Sequence, residues 1–367
     1  MASPEATPTA VTRSKRWKVV EAPKLLESAG LVDVIADGPR RAWAVGYEDG
    51  AEDRAGLPFV ERWDGSVWKK VTPRAREQYV NGFDMDGPDD IWLVGDEAAH
   101  WDGRRWSYST PAESTDNSWL TDVSIDGGRA VVVGTDWADD TSFAVEWTGR
   151  RFEKRAAVPG VFAAVTARRG QVWVVGTDLR NGCSGIRPAV WHAARGAKYT
   201  QMPLPDVPGG YLNQVLQISP DDVWAVGGIG GEQTRWFDCR TEDVEVEQPE
   251  ALVMHWDGSS WQRVAVPGGN GPLESVTASG ADDVWAVGAD QESARVAPDD
   301  EGAVGADQGG AMVALHFDGR TWTREYAYER LLDRPAVTAI PGTSELWVVG
   351  TAGQETDYGQ DVILRRR

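Results

Sequence analysis

One short apolar run, closed by glycine, recurs seven times along this chain and limits its fold more than any other feature. It reads RAWAVG ending at Gly46, DIWLVG at Gly95, AVVVG at Gly134 and VWVVG at Gly176, then DVWAVG at Gly227 and again at Gly288, and LWVVG at Gly350. Successive glycines lie 49, 39, 42, 51, 61 and 62 residues apart. That spread suits one four-stranded unit, repeated with loops of variable length. The runs are apolar at consecutive positions, as in a strand covered on both faces; a surface strand would alternate.

Each unit has the same internal order. An alternating stretch such as ESVTAS (Glu274 to Ser279) comes first, then a turn often holding Asp-Asp, then the glycine-ended run. After a variable loop comes a strand ending in Trp-Asp-Gly, as in VERWDG (Val60 to Gly65) or VMHWDG (Val253 to Gly258). A further tryptophan follows, at Trp68, Trp106, Trp261 or Trp322, in a strand that usually closes at proline. Asp-Gly between apolar strands is a hairpin signal, because glycine takes the positive φ that such turns need.

The two chain ends complete one another. The last unit stops after a third strand, DVILRR (Asp361 to Arg366), and RWKVVEAP (Arg16 to Pro23) matches the fourth-strand pattern VWKKVTP (Val67 to Pro73). Pairing the termini in one blade closes a ring and removes exposed sheet edges. The expected fold is therefore all-β: a single seven-bladed β-propeller of four-stranded antiparallel blades over residues 14–367, preceded by a disordered tail at 1–13. The repeat outweighs the two or three domains that 367 residues would otherwise suggest.

The glycine after an apolar strand, followed by an aromatic and then tryptophan, resembles the kelch repeat. The W-D-G-x-x-W turn is similar to the Asp-box hairpin of sialidase-like propellers. Tryptophan-rich bacterial propellers that mix both features are the group it resembles, over essentially residues 14–367. It departs from kelch in keeping one glycine where kelch has two, except at Gly227-Gly228. The resemblance implies architecture and is nearly silent on activity.

The chain holds 19 tryptophans. Six fall in second strands (Trp43, Trp92, Trp173, Trp224, Trp285, Trp347) and five before the hairpin turn (Trp63, Trp101, Trp147, Trp191, Trp256), with Phe317 at a sixth such site. Five more fall in fourth strands: Trp17, Trp68, Trp106, Trp261 and Trp322. Packing between blades accounts for these sixteen. Trp119, Trp137 and Trp236 do not fit the repeat. In a kelch-like strand order they share the face that carries the loops between blades, where indoles suit stacking or cation–π contact.

The remaining chemistry is spare. With 37 basic against 57 acidic residues the formal charge is −20, which argues against nucleic acid and anionic membranes as partners. All four histidines belong to the repeat: His100, His255 and His316 precede the aromatic, and His192 follows Trp191. No histidine lies in a variable loop, so neither a Ser-His-Asp triad nor a histidine-ligated metal is expected. The copper-radical oxidases that share a kelch-like ring need histidine with tyrosine at their metal, and this chain departs from them there. Asp89-Asp90, Asp221-Asp222 and Asp282-Asp283 recur at one turn and read as turn chemistry, like the hairpin aspartates Asp64, Asp102, Asp257 and Asp318. Cys183 and Cys239 fall in corresponding loops of blades 4 and 5, as a pair or as separate thiols. AVGADQ occurs twice in blade 6, at Ala286 to Gln291 and Ala303 to Gln308, a local duplication suited to an extra hairpin. The start of the chain lacks a basic region followed by an apolar run, so a cytoplasmic protein is expected.

The start of each first strand approaches the central channel. Aligned there are Val32, Asn81, Thr121, Ala163, Asn213, Glu274 and Pro335, with Asp122 and Gln214 beside them; Tyr79-Val80-Asn81 in blade 2 matches Tyr211-Leu212-Asn213 in blade 5. Polar groups among aromatics at one opening suit a ligand pocket, and acidic loops favour a cationic ligand. The expected function is a recognition propeller, monomeric and without cofactor or metal. It would bind a peptide or small cationic or aromatic ligand through Trp119, Trp137, Trp236, Tyr79, Tyr211, Asn81, Asn213 and Glu274. The alternative is a metal-independent cyclase, lyase or isomerase, with Glu274 or Asp122 as acid/base and Tyr79 or Tyr211 as oxyanion donor.

Overall fold

The computed structural model describes residues 14–23, 25, 29–49, 55–71, 75–138, 140–180, 186–230, 249–269, 271–290, 310–352 and 360–367. These form seven four-stranded antiparallel sheets. Six run in chain order, first strand to fourth, starting at Gly30, Val80, Ser118, Val161, Gly210 and Leu273. The seventh takes Asp333–Ala339, Leu346–Ala352 and Gln360–Arg366 from the C-terminus and Trp17–Val20 from the N-terminus. Trp17 lies opposite Arg366 and Val20 opposite Ile363. First strands contact one another around the whole circle, including blade 7 against blade 1, so the molecule is a closed propeller with a central channel. Among the described residues no helix is long and apolar enough to cross a membrane.

Every first strand carries a β-bulge near its start. The register slips past Val32, Asn81, Thr121, Ala163, Asn213 and Glu274, and past Arg334 and Pro335 in blade 7. The ring of positions aligned from sequence is thus the ring of bulged residues. The bulge also explains the repeated glycine. A Cβ on Gly46, Gly95, Gly176, Gly227 or Gly288 would lie 1.8–2.1 Å from the carbonyl oxygen of Gly30, Tyr79, Val161, Tyr211 or Pro272, the second residue before the bulged one. No larger residue fits where the bent strand turns that carbonyl inward.

The seams between blades are aromatic. Trp347 of blade 7 meets Trp63 and Trp68 of blade 1 at 5.0 and 5.2 Å. Trp92 meets Trp147 and Phe152, Trp173 meets Trp256 and Trp261, and Trp224 meets Phe317 and Trp322. Several of the buried indole N–H groups, those of Trp173, Trp224 and Trp347 among them, have no hydrogen-bond partner. Buried ring area, more than hydrogen bonding, therefore holds these seams.

Blade 4 corrects one alignment. Trp191 pairs with Val174, just after Trp173, while Trp63, Trp101 and Trp256 pair two positions nearer the hairpin, with Ala42, Ile91 and Val223, just before their second-strand tryptophans. The third strand of blade 4 runs on to Ala194 and turns through Gly196 at φ 76°, without an Asp-Gly hairpin. Trp191 is thereby placed against Phe162 at 4.7 Å, in the seam where Val131 stands in place of a second-strand tryptophan. The same shift puts His192 opposite Trp173, as His100, His255 and His316 lie opposite Trp92, Trp224 and Trp285.

Candidate functional site

Strand order decides which loops share a face. In a first-to-fourth antiparallel blade, the second-to-third connection and the crossover to the next blade leave at the end where the first strand begins. That end carries the bulges and the unexplained aromatics. Tyr79 and Trp119 start their first strands in neighbouring blades and stack on one another, 5.5 Å between ring centroids and 15° between planes. They are 39% and 43% exposed, and Trp137 is 37% exposed, in a protein whose other described aromatics are mostly covered. The Trp137 N–H donates to the Asn117 carbonyl at 3.1 Å, which ties the loop carrying Trp137 to the start of the Trp119 strand. These three form an open aromatic rim on blades 2 and 3. Trp236, Cys183, Cys239 and the second AVGADQ copy lie outside the described residues.

Tyr211 departs from its match in blade 2. It is 4% exposed, its hydroxyl is buried without a partner, and burial first, then the nearby Glu274, pushes its ionisation up. Gly228 makes the difference: a Cβ there would lie 2.4 Å from the Tyr211 hydroxyl. The second glycine of that blade opens the space into which the ring folds, so Tyr211 supports the mouth from beneath and does not face it.

The polar bulge residues stitch the ring. Asn81 donates its amide to the Leu120 carbonyl at 3.0 Å, Asn213 to Leu273 at 3.0 Å, and the Thr121 hydroxyl to Phe162 at 2.7 Å. Each bond runs to the next blade and satisfies a carbonyl beside that blade's bulge. Asn213 also donates to Glu274 Oε2 at 3.0 Å. Burial in the channel, with Asp333 adding to it and Arg334 opposing, pushes the Glu274 carboxyl up to about 7. Arg334, next to Pro335, sits at φ 42°, a costly conformation for a non-glycine residue.

Below the mouth, Asp33, Asp84 and Asp122 come from blades 1, 2 and 3. Asp122 accepts from the backbone N–H groups of Val123 and Val165, each at 2.8 Å, and Asp84 from Met85 and Ile125, each at 2.7 Å. Asp33 accepts from Val34 at 2.7 Å. Desolvation raises all three, to about 7 for Asp33 and about 6 for Asp84, and mutual repulsion adds to the rise in Asp33 and Asp122. Asp122 and Glu274 belong to blades 3 and 6, on different sides of the channel, so the structure does not bring the two candidate acid/base carboxyls together. Asp122 instead joins two blades, and Gly82 has no side chain because its Cβ would lie 2.8 Å from the Asp122 Cα.

The histidines occupy the opposite end. Each imidazole lies on the tryptophan across from it, with centroids 3.9–4.4 Å apart, stacked for His100, His255 and His316 and tilted by 33° for His192. Nε2 of His100, His255 and His316 lies 2.8 Å from Asp90, Asp222 and Asp283, the second aspartate of each pair, and that of His192 lies 2.5 Å from Gln171. Arg365 with Glu345 fills the same position in blade 7, and Glu146 with Arg129 fills it in blade 3 with the charges exchanged. The hairpin aspartates cap their own turns: Asp257 accepts from the Ser259 hydroxyl and from the Ser260 and Ser259 N–H groups, and these bonds, the hydroxyl's first, hold it at about 2. Among the described residues no group of three metal-ligating side chains could hold an ion.

Sequence reading passed over two carboxylates at the aromatic rim. Asp96 accepts from the Tyr79 N–H at 3.0 Å. Asp136 accepts from the hydroxyls of Thr115 at 2.6 Å and Ser118 at 3.4 Å and from the Ala138 N–H at 2.9 Å, and these bonds lower its pKa. The signal was present: an acid stands two residues past the repeat glycine at Glu48, Glu97, Asp136, Asp178 and Asp290, and Asp96 directly follows Gly95.

No family model matches the sequence, and no curated protein matches it. Solved structures do resemble it. A structure of YCF48 bound to D1 peptide shares 13% identity at a TM-score of 0.57, covering 99% of each chain. U3-55K shares 11% at 0.56, over 97% of this chain and 100% of its own. A chain of the Mitotic Checkpoint Complex shares 10% at 0.53, over 100% of this chain and 97% of its own. At such identities the likeness establishes the fold, and the chain is a seven-bladed β-propeller.

Proposed function

We propose that this protein is a recognition propeller that binds a peptide or a small cationic or aromatic ligand on the loop face beside the channel mouth. The observation that carries the reading is the exposed Tyr79–Trp119 stack with Trp137 beside it. Rings of this size are costly to leave in water, and where the other sixteen positions use them to fill seams, these are held open by backbone bonds. Asn81, Asn213 and Glu274 supply polar groups at the mouth, with the Asn81 and Asn213 amide N–H groups committed to the ring and their carbonyl oxygens left for a ligand. That a propeller of this architecture is known with a bound peptide supports the peptide form of the ligand.

Selection of a random linear peptide library on the purified protein tests this. Enriched peptides should bind the wild type and lose at least about tenfold in affinity on Trp119→Ala, the loss expected of a central aromatic anchor, with the thermal midpoint unchanged. Enriched peptides that bind Trp119→Ala and Trp137→Ala proteins as tightly as the wild type would place the site elsewhere.

A further inference from the structure

The acid two residues past the repeat glycine has a partner in every blade that carries it, and the kind of partner differs. Glu48 is ion-paired with Lys70 at 2.6 Å, Glu97 with Arg76, Asp178 with Arg180, and Asp290 with Arg324. Asp136 is held by two hydroxyls and a backbone N–H, and among the described residues no cation pairs with it. Its neighbour across the rim, Asp96, is held by the Tyr79 N–H and likewise has no cation partner there. Arg76, shortly before Tyr79 in the chain, is spent on Glu97 and on the Tyr108 ring, with 3.9 Å from its guanidinium carbon to the ring centroid. The rim of blades 2 and 3 therefore carries exposed ring faces and two carboxylates that no cation balances among the described residues, in a protein of net charge −20.

We propose that this rim is a docking surface for a basic peptide segment, with an arginine side chain lying on the Trp119–Tyr79 stack and paired to Asp136. The proposal rests on the aromatic rim being the binding surface and adds the chemistry of its occupant. A planar guanidinium stacks on an aromatic face and donates sideways to a carboxylate at the same time. Asp136 suits that task because the Thr115 and Ser118 hydroxyls fix it in place and keep it ionised without neutralising it. The negative field of the whole chain speeds the approach of such a segment and turns away acidic ones. The site is eccentric, on the rim of two blades, with the channel to one side.

The test uses full-length protein carrying 5-fluorotryptophan, with the Trp119 and Trp137 fluorine resonances assigned from Trp119→Phe and Trp137→Phe proteins. The probes are N-acetyl-arginine amide and its neutral isostere N-acetyl-citrulline amide. Arginine amide should shift the Trp119 resonance saturably, and citrulline amide should bind at least about threefold more weakly, the effect of one exposed charge pair with its cation–π contact. Asp136→Asn should bring the arginine affinity down to the citrulline value, and Asp96→Asn should weaken it in the same direction, with both losses reduced at high salt. If the two probes bind equally and neither variant changes the arginine affinity, the charge assignment is overturned while the aromatic rim stands as a binding surface. If neither probe moves the Trp119 resonance, the rim itself is the wrong surface.

Discussion

A single missing methyl group explains the most repeated feature of the sequence. At Gly176 a Cβ would lie 1.8 Å from the Val161 carbonyl oxygen, whereas at Gly350 the nearest atom is the Leu332 Cβ at 3.0 Å, because blade 7 has the wider bulge. Both positions have ordinary backbone angles for a strand, so the difference is steric. Gly176→Ala should destabilise by about 3 kcal/mol or more, and Gly350→Ala by about 1 kcal/mol, the span typical of overpacking. Urea denaturation midpoints of the two variants test the ordering. Equal midpoints would mean that the bulge relaxes freely.

At the scale of the blade, the seams repeat one arrangement with two substitutions. A second-strand tryptophan is wedged between third- and fourth-strand aromatics of the next blade, except where Arg366 lies over Trp285 at 4.0 Å in place of a third-strand aromatic, and where Val131 leaves the wedge out and Trp191, brought round by the longer strand of blade 4, fills the space. Trp191 is 3% exposed. Trp191→Ala should cost about 3–5 kcal/mol, as for other buried aromatic truncations. Val131→Trp, although it restores the repeat, should also destabilise, since the seam is already full. Calorimetry on both proteins checks this, and a rise in midpoint for Val131→Trp would contradict the packing described.

For the whole molecule the telling place is the closure between blade 7 and blade 1. Glu61 is fully buried there, with both carboxyl oxygens unpartnered, facing Asp361 across the seam and Lys70, itself paired with Glu48, on its own blade. Burial first, then Asp361, pushes Glu61 up to about 8, against Lys70. The folded state thus holds a proton that the unfolded chain releases near 4.5, so stability is greatest at the acidic end of this window and falls as pH rises from there through about 8. The thermal midpoint of the wild type should drop over that range, and that of Glu61→Gln should drop less. Parallel pH profiles for the two proteins would show that the closure does not respond to this proton.

By itself the sequence determined the blade count, the strand order and the closure by the two termini, because each follows from a pattern repeated seven times in a chain whose ends are complementary. It also separated the sixteen tryptophans of the repeat from Trp119 and Trp137, which stand exposed. Tertiary structure decided what no periodicity carries: that each channel-mouth position is a bulge, that Tyr79 is open while Tyr211, in the same motif, folds into the space left by Gly228, and that Asp136, among the described residues, has no cation where its equivalents do. The physical reason is range. Burial on alternating faces is written locally in each strand, whereas exposure and charge balance at the rim depend on which side chains the next blade brings alongside.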